Sequence, residues 1–214
     1  MDCKRTRRGR DFIARHGETV FNAARRIQGD VHHTPLTRAG FAQADEMGAA
    51  LAACLGRMPR LTLWASPTGR ALQTLAVVVE HVGLDWHQAH TDPRLAELGT
   101  GSWGERYYAD LAAEVGELVH PGTGLLKSAP DGETYPAMAA RLSGWLADTD
   151  DDPGDRLVIM HGLSSRVLRG LMTGADAMPA IGAPAAPSVP QGSLVMIEAG
   201  VETLVHRGTG FAPA

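Results

Sequence analysis

The strongest constraint on how this chain folds is the apolar run Leu157-Val158-Ile159-Met160, followed at once by His161-Gly162 and then by helical spacing. A short continuous apolar run bounded by turn residues fits a strand buried on both faces. The same grammar occurs twice more. Phe12-Ile13-Ala14 runs into Arg15-His16-Gly17, and Leu61 to Ala65 runs into Ser66-Pro67. Each run is followed by a helical stretch, in the first case after a long polar connection from Val20 to Pro35. Strands alternating with helices give an α/β fold with a mostly parallel sheet.

The helices have readable ends. Thr37 is an N-cap for a helix with Phe41, Ala44, Gly48, Leu51 and Leu55 on one stripe, stopped by Gly56. Ser66 as N-cap and Pro67 at the first helical position start a second helix, whose stripe is Leu72, Leu75, Val79 and Val82 and whose stop is Gly83. Trp86 to His90 reads as a third strand. Helices are expected over Tyr107 to Leu118, Tyr135 to Ala147 and Ser164 to Met172. The Gly and Pro content of Pro121 to Gly132 marks a mobile loop or lid, and Gly174 to Pro190 reads as loop. Ser193 to Glu198 and Glu202 to His206 form a closing hairpin around Ala199-Gly200. With no repeat and no linker, residues 1–214 read as a single domain, with residues 99–134 as a substrate-covering insertion.

Of the 214 residues 44% are apolar, enough for a sizeable core, and the formal net charge of -4 gives no reason to expect nucleic-acid or membrane binding. Residues 1–10 are dense in Lys and Arg and read as a solvated or frayed tail. The apolar stretch behind them is too short for a signal peptide, and no stretch reaches membrane-spanning length. Cys3 and Cys54 are the only cysteines, so neither a disulfide framework nor a cysteine zinc site is expected, and a cytoplasmic location fits. Nothing fixes the oligomeric state; a homodimer is one option.

In open α/β sheets ligands sit at the carboxyl ends of the strands. Three expected strands deliver cations or imidazoles there: Arg15 and His16, then Arg70 in the first turn of the helix after Ser66-Pro67, then His161. Arginine forks match phosphate oxygens in pairs, a neutral imidazole can attack phosphorus, and the helix starts at Ser66 and near Ser164 add N–H groups. Together they describe a phosphate pocket that needs no metal.

Arg15-His16-Gly17-Glu18-Thr19 with Asn22 resembles the signature of the histidine phosphatase superfamily, in its phosphoglycerate-mutase-like branch. The resemblance continues through Gln28-Gly29, Pro35-Leu36-Thr37, Gly40, Gln43-Ala44, Ser66-Pro67 with Arg70-Ala71 and Thr74, Leu95, Glu97, Gly101, Trp103, Gly132-Glu133-Thr134, and His161-Gly162 with Arg166. It implies a three-layer α/β/α sandwich and a phosphatase without cofactor or metal, acting on a small phosphorylated molecule. His16 would be the nucleophile that becomes phosphohistidine. Arg15, Arg70 and His161 would hold the phosphoryl oxygens, and Glu97 would be the general acid and then the base. Asn22, Gln28, Gly29 and Gly162 would complete the phosphate and substrate contacts.

The same pocket would serve a phosphomutase or a non-catalytic phospho-ligand binder. The sequence after Glu97, Leu98-Gly99-Thr100-Gly101-Ser102-Trp103, resembles the phosphatase subgroup. It lacks the Arg-His-Tyr-Gly string of the family's mutases. Departures from the family pattern at His33, Gly104-Glu105 and Asp131-Gly132 bear on substrate identity. His32-His33, His87 and His90 read as solvated, without a metal-ligand pattern. Cys54, spaced from Arg60 as in tyrosine phosphatases, falls late in a helix and reads as packing.

Overall fold

A computed structural model of the chain describes residues 8–211. The elements are β1 (Asp11–Arg15), α1 (Val20–Ala23), α2 (Arg38–Leu55), β2 (Leu61–Ala65), α3 (Gly69–Val82), β3 (His90–Thr91), α4 (Tyr108–Val115), α5 (Tyr135–Asp148), β4 (Asp155–Met160), α6 (Gly162–Thr173), the two-residue strands β5 (Ala177–Met178) and β6 (Ala183–Pro184), β7 (Leu194–Glu198) and β8 (Val201–His206). Six strands form the central sheet in the order β3-β2-β4-β1-β7-β8. The pairs β2–β3, β2–β4 and β1–β4 are parallel, and the closing hairpin β7–β8 joins antiparallel beside β1.

Period-two alternation explains why the central strands read as continuous apolar runs. Ile13, Val158 and Met160 face a core shared with Met138, Leu142 and Trp145 of α5 and Val167 and Leu168 of α6. Their neighbours Phe12, Ala14, Leu157 and Ile159 face the opposite core, with Met47 and Leu51 of α2 and Leu75 and Val78 of α3. Helices therefore cover both sheet faces, which is the three-layer α/β/α arrangement. Parallel strands β1, β2 and β4 end together at one edge, so Arg15, Ala65 and Met160 bring the residues after them to one place.

Several element ends differ from the sequence reading, each for a local reason. The helix after β2 starts at Gly69 with Thr68 as N-cap, not at Ser66-Pro67. Ser66 still belongs to the strand edge: its N–H donates to the Ile159 carbonyl at 3.0 Å, and its hydroxyl is engaged by His161. Trp86–Gln88 is a 3-10 turn rather than a strand, because the Asp85 carboxylate accepts the His87 N–H and caps it. Only His90–Thr91 pairs with β2. Helix α6 begins at Gly162, not Ser164. The polar connection after His16 holds the short α1, closed by a reciprocal cap between Thr19 and Asn22. The expected helix over Tyr107–Leu118 ends at Val115 because Gly116, at φ 84°, terminates it.

Of the basic N-terminal segment, residues 1–7 lie outside the described residues. Arg10 is not frayed: its backbone N–H and guanidinium both donate to Asp155, at 2.7 and 2.6 Å. Cys54 is exposed rather than packed. No helix among the described residues is long and apolar enough to cross a membrane.

Candidate active site

His16 follows β1 directly, and its N–H donates to the Met160 carbonyl of β4 at 3.0 Å, so the residue is stitched across two strand ends. Its ring is 3% exposed. Nδ1 stands 2.7 Å from the Gly17 carbonyl oxygen. A carbonyl only accepts, so Nδ1 carries the hydrogen and, in the neutral ring, Nε2 keeps its lone pair. Burial, then the charges of Arg70 and Arg15, push the ring's pKa well below its usual value, so the neutral form prevails. Gly17 is required by space. A Cβ there would stand 2.2 Å from the Gly40 carbonyl at the start of α2.

Arg70 and His161 lie fully buried behind His16, whose ring meets that of His161 edge-on at 5.2 Å. Arg70 Nε donates to His161 Nδ1 at 3.2 Å. That nitrogen must therefore accept, so the neutral ring carries its hydrogen on Nε2 and donates it to the Ser66 hydroxyl at 2.8 Å. Burial and then Arg70 push the pKa of His161 well down, which keeps the ring neutral. The remaining donors of Arg70 go to the loop after β1: Nη2 to the Gly29 carbonyl (2.7 Å), Nη1 to the Val31 carbonyl and the Thr34 hydroxyl. Burial lowers its pKa to about 10, against the pull of Glu97.

Arg15 ends β1. Its Nη1 donates to the Val189 carbonyl at 2.8 Å, while Nε is buried with no hydrogen-bond partner among the described residues. Gly162 packs flat on this guanidinium, and a Cβ there would stand 3.2 Å from Cζ. Burial draws the Arg15 pKa down to about 10, with Glu97 opposing.

Glu97 lies in an irregular stretch, yet it is well fixed. Oε2 accepts the Leu163 N–H at 2.9 Å, and Oε1 accepts those of Ser164 and Leu98 at 2.8 and 3.0 Å. The carboxylate thus caps α6, whose own N-cap His161 makes no side-chain cap because its ring is committed to Arg70 and Ser66. Arg94, a rival partner in the sequence, pairs instead with Asp92 and Asp148. Arg141 of α5 donates to the carbonyls of Arg94 and Glu97, steadying the stretch. The sequence reading did not single out Arg141.

A cavity of about 460 Å³ opens over His16, with Arg15, Gly162 and Glu97 at its base. Asn22, Gln28 and Gly29 also line it; Gln28 Oε1 is 2.5 Å from the Thr19 hydroxyl, and Asn22 Oδ1 caps Thr19. Arg70 and His161 do not line the cavity. Sequence reasoning missed Arg25, Thr100, Gln191 and Phe211, which do. Thr100 carries a readable signal only through its position beside the landmark Gly101, and Gln191 carries none. Tyr108 joins the wall, while Trp103 packs on the core and Tyr107 is exposed. His32, His33, His87 and His90 are exposed, and among the described residues no three His, Cys, Asp or Glu side chains converge as metal ligands.

Comparison with known proteins points the same way. The sequence model of the histidine phosphatase superfamily (branch 1) matches residues 12–198. A protein of Cronobacter sakazakii named probable phosphoglycerate mutase GpmB is 35% identical over 173 residues, 78% of this chain and 75% of that one. Its namesake in an Enterobacter species is 36% identical over 174 residues, with the same coverage. Among solved structures, one from Escherichia coli described as a putative alpha-ribazole-5'-P phosphatase superposes with a TM-score of 0.70 at 24% identity, covering 94% of this chain and 96% of that chain. Bacillus stearothermophilus YhfR superposes at 0.72 and 22% identity, covering 92% and 95%.

Proposed function

The chain belongs to the histidine phosphatase superfamily, and from that premise we propose that it is a metal-independent phosphatase that cleaves a phosphomonoester through phosphohistidine. The observation that carries this reading is the orientation of His16: Nδ1 is fixed to the Gly17 carbonyl, the ring is held neutral, and Nε2 retains its lone pair beside the cavity.

In this mechanism His16 Nε2 attacks phosphorus and the P–O bond to the leaving group breaks. Glu97 takes up a proton as the phosphate dianion arrives beside it and passes that proton to the departing oxygen, which leaves as an alcohol. Arg15 stabilises the charge on the phosphoryl oxygens, while the Arg70 charge helps keep the His16 ring neutral and the His161 ring packs edge-on against it. Glu97, now a carboxylate, takes a proton from water as that water attacks phosphorus. The P–N bond breaks, inorganic phosphate forms, and His16 returns to the neutral ring. Residues 99–134 act as the substrate cover, since Thr100, Tyr108, Val119 and Leu126 all lie on the cavity wall. The chain works as one histidine phosphatase domain.

The names of the relatives at 35% and 36% identity favour a second reading, in which phosphohistidine returns its phosphoryl group to another hydroxyl of a phosphoglycerate. One assay separates the two. Phosphomonoesters, phosphoglycerates included, are incubated with enzyme and chelator, and both phosphate release and isomerisation are read. Release supports the phosphatase; isomerisation without release supports the mutase. An acid-labile phosphorus label on the protein, absent in His16→Ala, is expected in either case, and its absence from the unmodified protein would rule out the covalent route.

A further inference from the structure

We propose that the cavity takes a phosphomonoester whose leaving group is a flat, ring-bearing apolar body with a second anionic group at its far end, received by Arg25. This deepens the phosphatase reading and rests on it. Beyond His16, Arg15 and Glu97, much of the wall is apolar, from Ile27, Tyr108, Ala109, Val119, Leu126 and Leu163, with Asn22, Gln28, Thr100 and Gln191 as its uncharged polar members. A three-carbon polar acid would leave that surface wet, whereas a ring of aromatic size would bury it. Arg15 Nε, Thr100 Oγ1 and Gln191 Oε1 belong to cavity-lining residues and are buried with no hydrogen bond among the described residues.

Two further arginines line the cavity, and among the described residues one of them has no carboxylate partner. Arg26 Nε donates to the Glu105 carbonyl at 2.6 Å, and its guanidinium lies over the rings of Phe21 and Tyr107. The Arg25 guanidinium is stacked 3.8 Å from the centre of the Phe211 ring and has no carboxylate partner among the described residues. Stacking covers its face and leaves its in-plane N–H groups for an anion. The Arg25 backbone adopts φ 56°, a left-handed conformation that a non-glycine residue enters at a cost. It is held there by its own N–H to the Asn22 carbonyl and by the Tyr108 N–H to its carbonyl. That pair of bonds ties Arg25 to the same segment that supplies Tyr108 to the wall.

The test is calorimetric binding of three non-hydrolysable phosphonates to the full chain: 1-naphthylmethylphosphonate, the same compound with a carboxylate on the distal ring, and 3-phosphonopropanoate. The naphthyl compound should bind at least about tenfold more tightly than phosphonopropanoate, from the apolar area buried. The distal carboxylate should add about threefold or more. Arg25→Met should abolish the difference between the two naphthyl ligands, and Leu126→Asn should weaken both. Equal or tighter binding of phosphonopropanoate, or a distal carboxylate without effect in the unmodified protein, overturns the proposal. Phosphate release from 1-naphthyl phosphate, measured in parallel, keeps the two readings apart. Binding in the expected order without release removes the phosphatase reading alone, and release with the order reversed removes this one alone.

Discussion

Arg141 holds Glu133 in a two-point grip: Nε lies 2.6 Å from Oε1 and Nη2 2.9 Å from Oε2. Glu133 in turn pairs with Gly99 twice, its carboxylate accepting the Gly99 N–H at 3.3 Å and its own N–H donating to the Gly99 carbonyl at 2.7 Å. With Arg141 also on the Arg94 and Glu97 carbonyls, the backbone on both sides of Glu97 is clamped to α5. Arg141 is thus a positioning residue for the proposed acid. Arg141→Met is expected to cost about tenfold to a hundredfold in kcat on alkyl phosphates, whose leaving oxygen needs a proton. On p-nitrophenyl phosphate, whose phenolate leaves without one, the loss should stay within about threefold. Equal losses on both substrates would mean a general loss of structure, and in a Glu97→Gln background the effect should vanish.

Glu97→Gln itself separates chemistry from structure. Gln keeps one oxygen for the α6 N-terminus and turns an NH2 toward an N–H that the carboxylate accepted, so a stability loss of about 1–3 kcal/mol is expected in urea unfolding, with the fold retained. Turnover of alkyl phosphates should fall about a hundredfold or more. An unchanged rate would remove Glu97 from the mechanism.

The two buried imidazoles set a pH dependence of stability. Both have folded-state pKa values well below the ~6.5 of an exposed histidine. The unfolded chain therefore binds more protons than the folded one as pH falls through that value. Stability is fully present above about pH 7 and is lost below it, by up to about 1.4 kcal/mol per pH unit for each histidine. Urea titrations from pH 7 to 5 should show this slope, and His16→Gln should reduce it by about half of the histidine share. Parallel curves for the two proteins would refute the assignment.

Ser66→Ala removes the acceptor for the His161 Nε2 hydrogen and leaves a buried donor unpaired. A cost of about 1–3 kcal/mol is expected in urea unfolding. It should be accompanied by lower kcat, because the His161 ring loses the contact that orients it beside His16. A full rate at reduced stability would show that His161 needs no such anchor.

At the other end of β1, Asp11 accepts from Arg156 Nε at 2.6 Å, and that guanidinium lies 4.7 Å from the centre of the Trp145 ring. Both partners are buried, so Asp11→Ala removes the carboxylate that balances Arg156, which keeps its bonds to Thr149, and should cost up to about 3–5 kcal/mol. KM in the variant that remains folded should not move, since the pair sits at the far end of the strand from His16.

The sequence alone determined the alternation of strands and helices and the strand ends at which the candidate site lies. Apolar runs at Phe12–Ala14, Leu61–Ala65 and Leu157–Met160 are local patterns, and a parallel sheet brings their ends together whatever the loops do. Hence Arg15, His16 and His161 were legible. The tertiary structure decided what depends on partners distant in the chain. Ser66 reads as a helix cap locally, but His161, 95 residues away, takes its hydroxyl. The cap of α6 comes from Glu97, 66 and 67 residues before the N–H groups it accepts. The tautomer of His161 follows from the Arg70 Nε that only folding brings within 3.2 Å, whereas that of His16 is set by its chain neighbour Gly17. Arg25 and Arg26 are adjacent and alike in sequence. Folding gives one of them Glu105 and two rings and leaves the other at the mouth of the cavity, because which charge is neutralised is set by packing and not by residue type.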